Sequence, residues 1–187
     1  MADNEQERQI SPNDHLAFLK LALALARRSP PKPTNYRVGA LLVDGPTGAI
    51  LSSGYTLELP GNTHAEQCCI SKFAIAHTVD RELEIGNVLP AETVLYTTME
   101  PCGRRLSGQM SCVDRIISVK KSAGEGKQGI GLVVYGVSEP KDFVDNEDAI
   151  TRLEGAGVKC LHVTGLEEQI IAIAKEGHQA ESKSIGE

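Results

Sequence analysis

The chain has 187 residues, of which 41% are hydrophobic and 24% are charged, a composition ordinary for one globular domain with a substantial core. We expect a single domain over residues 1–187, with an ordered core from about residue 11 to residue 176 and polar tails. The formal net charge of -6 argues against a nucleic-acid partner, because proteins that bind phosphate backbones usually present a basic face.

Apolar runs and cysteine usage argue against membrane and secreted classes of protein. The longest apolar run near the N-terminus, residues 16–26, contains Lys20 and is too short to span a bilayer. An acidic segment precedes this run and no small-residue cleavage site follows it, so no signal peptide is predicted. The five cysteines are an odd number without regular spacing, which is typical of a reducing compartment. The sequence therefore predicts a cytoplasmic protein with no membrane partner.

Hydrophobic spacing, turn residues and prolines predict helices and strands that alternate along the chain. In chain order, the predicted elements are helix 13–28, strands 38–44 and 49–56, helix 63–77, a polar loop to residue 90, strand 93–98, a helix opening at 111–119, strand 131–137, helix 142–154, strand 158–163 and a helix from residue 166. The turn at 45–48 makes the first two strands an antiparallel hairpin, and crossover helices make the later strands parallel. The predicted fold class is α/β, a three-layer α/β/α sandwich with a mixed five-stranded sheet.

Three residues that can bind a transition metal stand at the ends of predicted elements. His64 opens the second helix, Cys102 follows the third strand and Cys112 opens the next helix. Zinc readily takes one imidazole and two thiolates, and three protein ligands leave a fourth position for water, as in catalytic zinc sites. Zinc lowers the pKa of such a water from about 15.7 to roughly 7. The sequence therefore predicts one Zn²⁺ per chain with hydrolytic chemistry.

Glu66 lies two residues after His64 and has two competing interpretations. In a regular helix the two side chains point about 200° apart, so both face one pocket only at an irregular helix start, for which Thr63 is the predicted N-cap. Alternatively, Thr63 and Glu66 form a T-x-x-E capping box in which Glu66 satisfies a backbone amide. The ordered combination of H-x-E, P-C and a second cysteine favours catalysis, because zinc deaminases use this Glu as acid and base rather than as a ligand.

These motifs resemble the cytidine deaminase superfamily over residues 14–175, and the predicted fold is then cytidine-deaminase-like. The common motif is P-C-x-x-C, whereas nine residues separate Cys102 from Cys112 here. The extra loop closure costs only about 1.3 kcal/mol, which is small beside zinc-binding energies of order 10 kcal/mol. This long gap, together with Asn35-x-x-Val38-Gly39, resembles the pyrimidine deaminases of riboflavin biosynthesis, and residues 54–66 resemble the fungal form.

The resemblance implies a specific hydrolase reaction. A fungal member of this family converts 2,5-diamino-6-ribitylamino-4(3H)-pyrimidinone 5′-phosphate to 5-amino-6-ribitylamino-2,4-pyrimidinedione 5′-phosphate plus ammonia. Glu66 then moves the protons of the reaction, and the partner is a phosphorylated ribitylamino-pyrimidine. The resemblance is compatible with a homodimer but does not predict one.

Substrate contacts are predicted at two places in the sequence. The resemblance gives Asn35 a hydrogen bond to the ring or sugar and gives Ala65 a contact through its backbone amide. The loop beside Cys102 is a hypothetical phosphate or sugar site, because a phosphorylated substrate needs cations or amides at the pocket mouth. Solvated surface arginines are the equally weighted alternative. The loop residues concerned are Gly103, Arg104, Arg105 and Ser107.

Two other functions are compatible with the predicted zinc site. One is a deaminase of the same superfamily that acts on a nucleoside, a free base or tRNA, since these enzymes share the zinc chemistry and differ in the pocket. The net negative charge of the chain weighs against tRNA as the substrate. The other is a non-catalytic interaction module in which zinc only stabilises the fold, against which the predicted acid/base Glu66 and open ligand position count.

Overall fold

A computed structural model of the chain describes residues 10–140 and 148–178. Within these ranges the strands form one five-stranded sheet in the order β2-β1-β3-β4-β5. In chain order the elements are α1 (His15–Ala26), β1 (Gly39–Asp44), β2 (Ile50–Tyr55), α2 (Ala65–Ala76), the 3₁₀ helix η1 (Glu82–Asn87), β3 (Thr93–Met99), α3 (Cys112–Lys121), β4 (Ile130–Val137), α4 (Ala149–Gly155), β5 (Lys159–His162) and α5 (Glu167–Ala174).

The sheet is mixed, as predicted. Strand β1 is antiparallel to both β2 and β3, whereas β3, β4 and β5 are parallel. Alternate residues of β3 enter different cores: Leu95 joins the core under α2, α3 and α4, and Tyr96 joins the core under α1 and α5. Helices therefore cover both faces of the sheet, which confirms the three-layer α/β/α sandwich.

Two predicted elements differ from the structure. Residues 78–90 contain η1 rather than a featureless polar loop, because Ile85 and Leu89 are fully buried in the core beneath α2 and α3. The fourth helix spans Ala149–Gly155, and the predicted start at 142 lies outside the described residues. In the described ranges no helix combines the length and the apolarity that a membrane crossing requires.

The parallel strands β3 and β4 end side by side, and their register determines what lies at that edge. Met99, the last residue of β3, pairs with Val137, the last residue of β4. The amide of Glu100 donates to the carbonyl oxygen of Val137 at 2.8 Å, which extends this contact by one residue. The segments that follow both strands therefore leave the sheet together, at the carboxyl edge where open α/β sheets bind ligands.

Candidate active site

The three predicted ligands meet at this carboxyl edge. His64 precedes α2, Cys102 follows β3, and Cys112 is the first residue of α3. Nδ1 of His64 lies 3.5 Å from the Sγ atoms of both cysteines, and the three ligand atoms lie within 4.8 Å of one another. A tetrahedral zinc ion with Zn–N and Zn–S bonds of about 2.0 and 2.3 Å requires N···S separations of about 3.6 Å. The donor set therefore fits zinc in both chemistry and spacing.

Backbone amides at the start of α3 hold Cys102 against Cys112. The amide of Cys112 donates to Sγ of Cys102 at 3.4 Å, and the amide of Val113 donates to the Cys102 carbonyl oxygen at 3.1 Å. Ser111 caps α3 by accepting from the Asp114 amide. The hydrogen bond between the two sulfurs lowers the pKa of Cys102 and raises the pKa of Cys112. A divalent metal favours thiolates at both positions.

Glu66 points into the same site rather than into the helix cap. Its side chain is 3% exposed; Oε1 accepts from the Thr97 hydroxyl at 3.3 Å, and Oε2 lies 3.4 Å from Sγ of Cys112. Burial raises the pKa of Glu66, and the neighbouring charge of Cys102 raises it further. The contact with Cys112 places the Glu66 carboxyl group beside the metal cluster.

The predicted Thr63 N-cap is wrong. The N-cap of α2 is His64, in an extended conformation (φ -92°, ψ 160°) and without a side-chain cap hydrogen bond. The Thr63 hydroxyl instead donates to the carbonyl oxygen of Leu59 at 3.0 Å, so the capping box does not form. The irregular helix start that was predicted does exist, and it lets His64 and Glu66 face one pocket although they are two residues apart.

One cavity adjoins the cluster, and it contains most of the predicted substrate-binding residues. His64, Glu66 and Cys102 line it. The predicted substrate-binding residues that also line it are Asn35, Arg104, Arg105 and Ser107. Ala65 and Gly103 do not line it: the Ala65 side chain is buried in the core, and the Gly103 carbonyl oxygen accepts from Arg152 at 2.8 Å.

The two neighbouring arginines differ in their surroundings. Arg105 is 6% exposed, and its guanidinium donates to Oε1 of Gln67 at 3.1 Å and to the carbonyl oxygen of Asn62. Arg104 is exposed at the cavity. Asn62 also connects to Asn35, whose Nδ2 donates to Oδ1 of Asn62 at 2.8 Å. Arg105 therefore fixes the loop after Cys102 to α2 and to the segment before it.

Glu139 also lines the cavity and was missed by sequence analysis. Burial and the negative charges of Cys102, Glu66 and Glu100 raise the pKa of Glu139 to about 8. The only sequence signal was its position just beyond a predicted parallel strand, since such strand ends border ligand sites.

The sheet order and the His-Cys-Cys cluster define a zinc-binding α/β/α protein. Residues 12–123, which include all three ligands, match the family of the cytidine and deoxycytidylate deaminase zinc-binding region. The chain belongs to this zinc-dependent deaminase family, as the sequence predicted.

Comparison with individual proteins shows which deaminases this chain is similar to. A diaminohydroxyphosphoribosylamino-pyrimidine deaminase from Schizosaccharomyces pombe is 35% identical over 169 residues, 90% of this chain and 37% of the relative. The chain thus spans little more than a third of that relative's length. A crystal structure of the Aspergillus oryzae Rib2 deaminase is 45% identical with a TM-score of 0.80, covering 91% of this chain and 94% of that one. A second structure of that enzyme, in complex with DARIPP, is 44% identical with a TM-score of 0.78, covering 90% and 93%.

Proposed function

We propose that this chain is the riboflavin-pathway deaminase that hydrolyses 2,5-diamino-6-ribitylamino-4(3H)-pyrimidinone 5′-phosphate to the corresponding pyrimidinedione and ammonia. The observation that carries the proposal is the buried Glu66 carboxylate beside the His-Cys-Cys cluster in one ligand-sized cavity. The 44–45% identity to the Rib2 deaminase, which was crystallised with DARIPP, supports the choice of substrate.

Glu66 performs the proton transfers of this reaction. Zinc held by the triad supplies Lewis-acid activation of water when it is bound. Oε1 of Glu66 lies 3.3 Å from the Thr97 hydroxyl, and Oε2 faces the cluster. Through Oε2, Glu66 takes a proton from the attacking water and passes it to a ring nitrogen. It then takes the remaining proton of the new C–OH group and delivers it to the departing amino group. One C–O bond forms, one C–N bond breaks and ammonia leaves, so Glu66 ends each cycle unchanged.

The cavity supplies different groups to the two ends of the substrate. Arg104 is the cation for the phosphate, because its guanidinium is exposed at the cavity while that of Arg105 is engaged with Gln67 and Asn62. Asn35 and Ser107 contribute hydrogen-bonding groups to the ring and the ribityl chain. Contacts from Ala65 and Gly103 stay predictions, since neither lines the cavity.

A substrate panel tests the proposed function. The purified chain, loaded with zinc, is assayed for ammonia release from the ribitylamino phosphate, its ribosylamino counterpart, cytidine, dCMP, guanine and adenosine in tRNA. We expect the ribitylamino phosphate to give the highest kcat/KM. Preference for another compound contradicts the assigned substrate, and inactivity on the whole panel contradicts the assigned reaction and favours a structural role for zinc.

A further inference from the structure

The carboxyl group of Glu139 lines the cavity but has no role in the reaction described above. Glu139 lies two residues beyond Val137, the β4 residue that pairs with Met99. Cys102 lies three residues beyond Met99 on the adjacent chain segment. The parallel register therefore places Glu139 at the end of the cavity that adjoins the His-Cys-Cys cluster.

Within the described part of the chain, Glu139 has neither a hydrogen bond nor an ion pair, and its Oε2 atom is enclosed by protein without a donor. The titratable groups that act on it are Cys102, Glu66 and Glu100, all of them acidic. A buried carboxyl oxygen without a donor costs free energy. A ligand that brings a hydrogen-bond donor to this position offsets that cost.

We propose that Glu139 determines specificity by accepting a hydrogen bond from an N–H group of the substrate's aminopyrimidine ring. This inference rests on the proposed function and deepens it. The phosphate has its cation in Arg104, whereas the ring carries amino groups and must lie beside the metal cluster for its C–N bond to break. A carboxyl group keeps an acceptor oxygen whether or not it carries a proton.

Among the N–H groups that stay on the molecule in the product, the one assigned to Glu139 is the 5-amino group, because pyrimidines such as cytidine lack it. Glu139 then distinguishes the diaminopyrimidine from pyrimidines that lack a donor at that position. This contact complements Arg104, which is placed to bind the phosphate of the same molecule.

The test compares kcat and KM of the zinc-loaded full chain with those of Glu139→Ala and Glu139→Gln. Each protein is assayed with the ribitylamino phosphate and with an analogue in which hydrogen replaces the 5-amino group. Glu92→Ala is the matched control, because Glu92 is exposed in the loop before β3. Zinc content and thermal unfolding are measured for every variant.

We expect Glu139→Ala to raise KM for the ribitylamino phosphate about 10- to 100-fold, with kcat within about threefold of wild type and unchanged zinc content. Glu139→Gln keeps an acceptor oxygen and gives a smaller increase. The wild type loses affinity for the analogue by a similar factor, and Glu139→Ala adds little to that loss, since both changes remove the same hydrogen bond.

Three results overturn this inference and leave the proposed function standing. Wild-type turnover with an unchanged KM in Glu139→Ala shows that the substrate does not use this carboxyl group. A KM penalty of equal size on the substrate and the analogue moves the contact to another donor, such as a ribityl hydroxyl. Loss of zinc from both Glu139 variants makes the residue a support of the metal site. No turnover by the wild type overturns the proposed function, and this inference with it.

Discussion

Arg152 donates a hydrogen bond of 2.8 Å from Nη1 to the carbonyl oxygen of Gly103, the residue that follows the zinc ligand Cys102. Its Nη2 pairs with Asp114, in the first turn of the helix that Cys112 begins. One guanidinium therefore connects α4 to both chain segments that carry cysteine ligands. Groups that hold metal ligands in this way orient them and raise metal affinity.

Replacing Arg152 by Ala weakens zinc binding. We expect zinc affinity to fall about 10-fold or more, measured by competition with a chromophoric chelator and independently of turnover. Arg81→Ala is the control, because Arg81 forms an exposed pair with Glu84 and contacts neither cysteine segment in that pair. If Arg152→Ala and Arg81→Ala hold zinc equally well, the contact to Gly103 contributes only to local packing.

Glu66→Gln separates metal binding from proton transfer. The amide keeps the size of the side chain but cannot take a proton, so ammonia release falls about 10²- to 10⁴-fold while zinc content stays the same. Glu58→Gln is the matched control: Glu58 pairs with Lys72 at 2.6 Å, and its loss leaves turnover within about threefold. Near-normal rates in Glu66→Gln disprove the assigned proton shuttle.

The neighbouring arginines give different phenotypes when each is replaced by Ala. Arg104→Ala raises KM for the phosphorylated substrate about 10-fold without changing KM for its dephosphorylated form or the melting temperature. Arg105→Ala removes hydrogen bonds to Gln67 and Asn62 and lowers the free energy of unfolding by about 1–3 kcal/mol. Steady-state kinetics and chemical denaturation measure the two effects. The interpretation is wrong if the two variants behave alike in both measurements.

The parts of the site that sequence predicted lie at the ends of elements with strong patterns. The apolar stripe of α2 and the buried strand β3 predicted where His64 and Cys102 would stand, because helix starts and strand ends follow from local periodicity. The parallel order of the later strands then brought these ends together. The placement of the three cluster residues together with Glu66 therefore followed from motif and topology alone.

The incorrect and missing assignments depend on contacts between distant residues. Thr63 has the local chemistry of an N-cap, but its hydroxyl bonds to Leu59, and Glu66 turns to Thr97, 31 residues away. Arg105 reaches Gln67 across 38 residues, and Glu139 enters the cavity through the register of β4 with β3. Local sequence patterns carry no information on such pairs, so these roles required the folded chain.

Gly39, the last residue of the Asn-x-x-Val-Gly segment, is required for packing α1 on the sheet. A Cβ atom at this position would lie 1.9 Å from the Ala22 carbonyl oxygen and 2.7 Å from the Ala26 amide nitrogen. Both contacts are with helical backbone, which cannot move aside as a side chain can, so Gly39→Ala destabilises the fold by about 1–3 kcal/mol or more. Gly155→Ala is the control, because a Cβ there meets no atom within 4 Å, and its melting temperature stays within a few degrees of wild type. Equal melting temperatures for the two variants would show that the helix shifts to admit a methyl group.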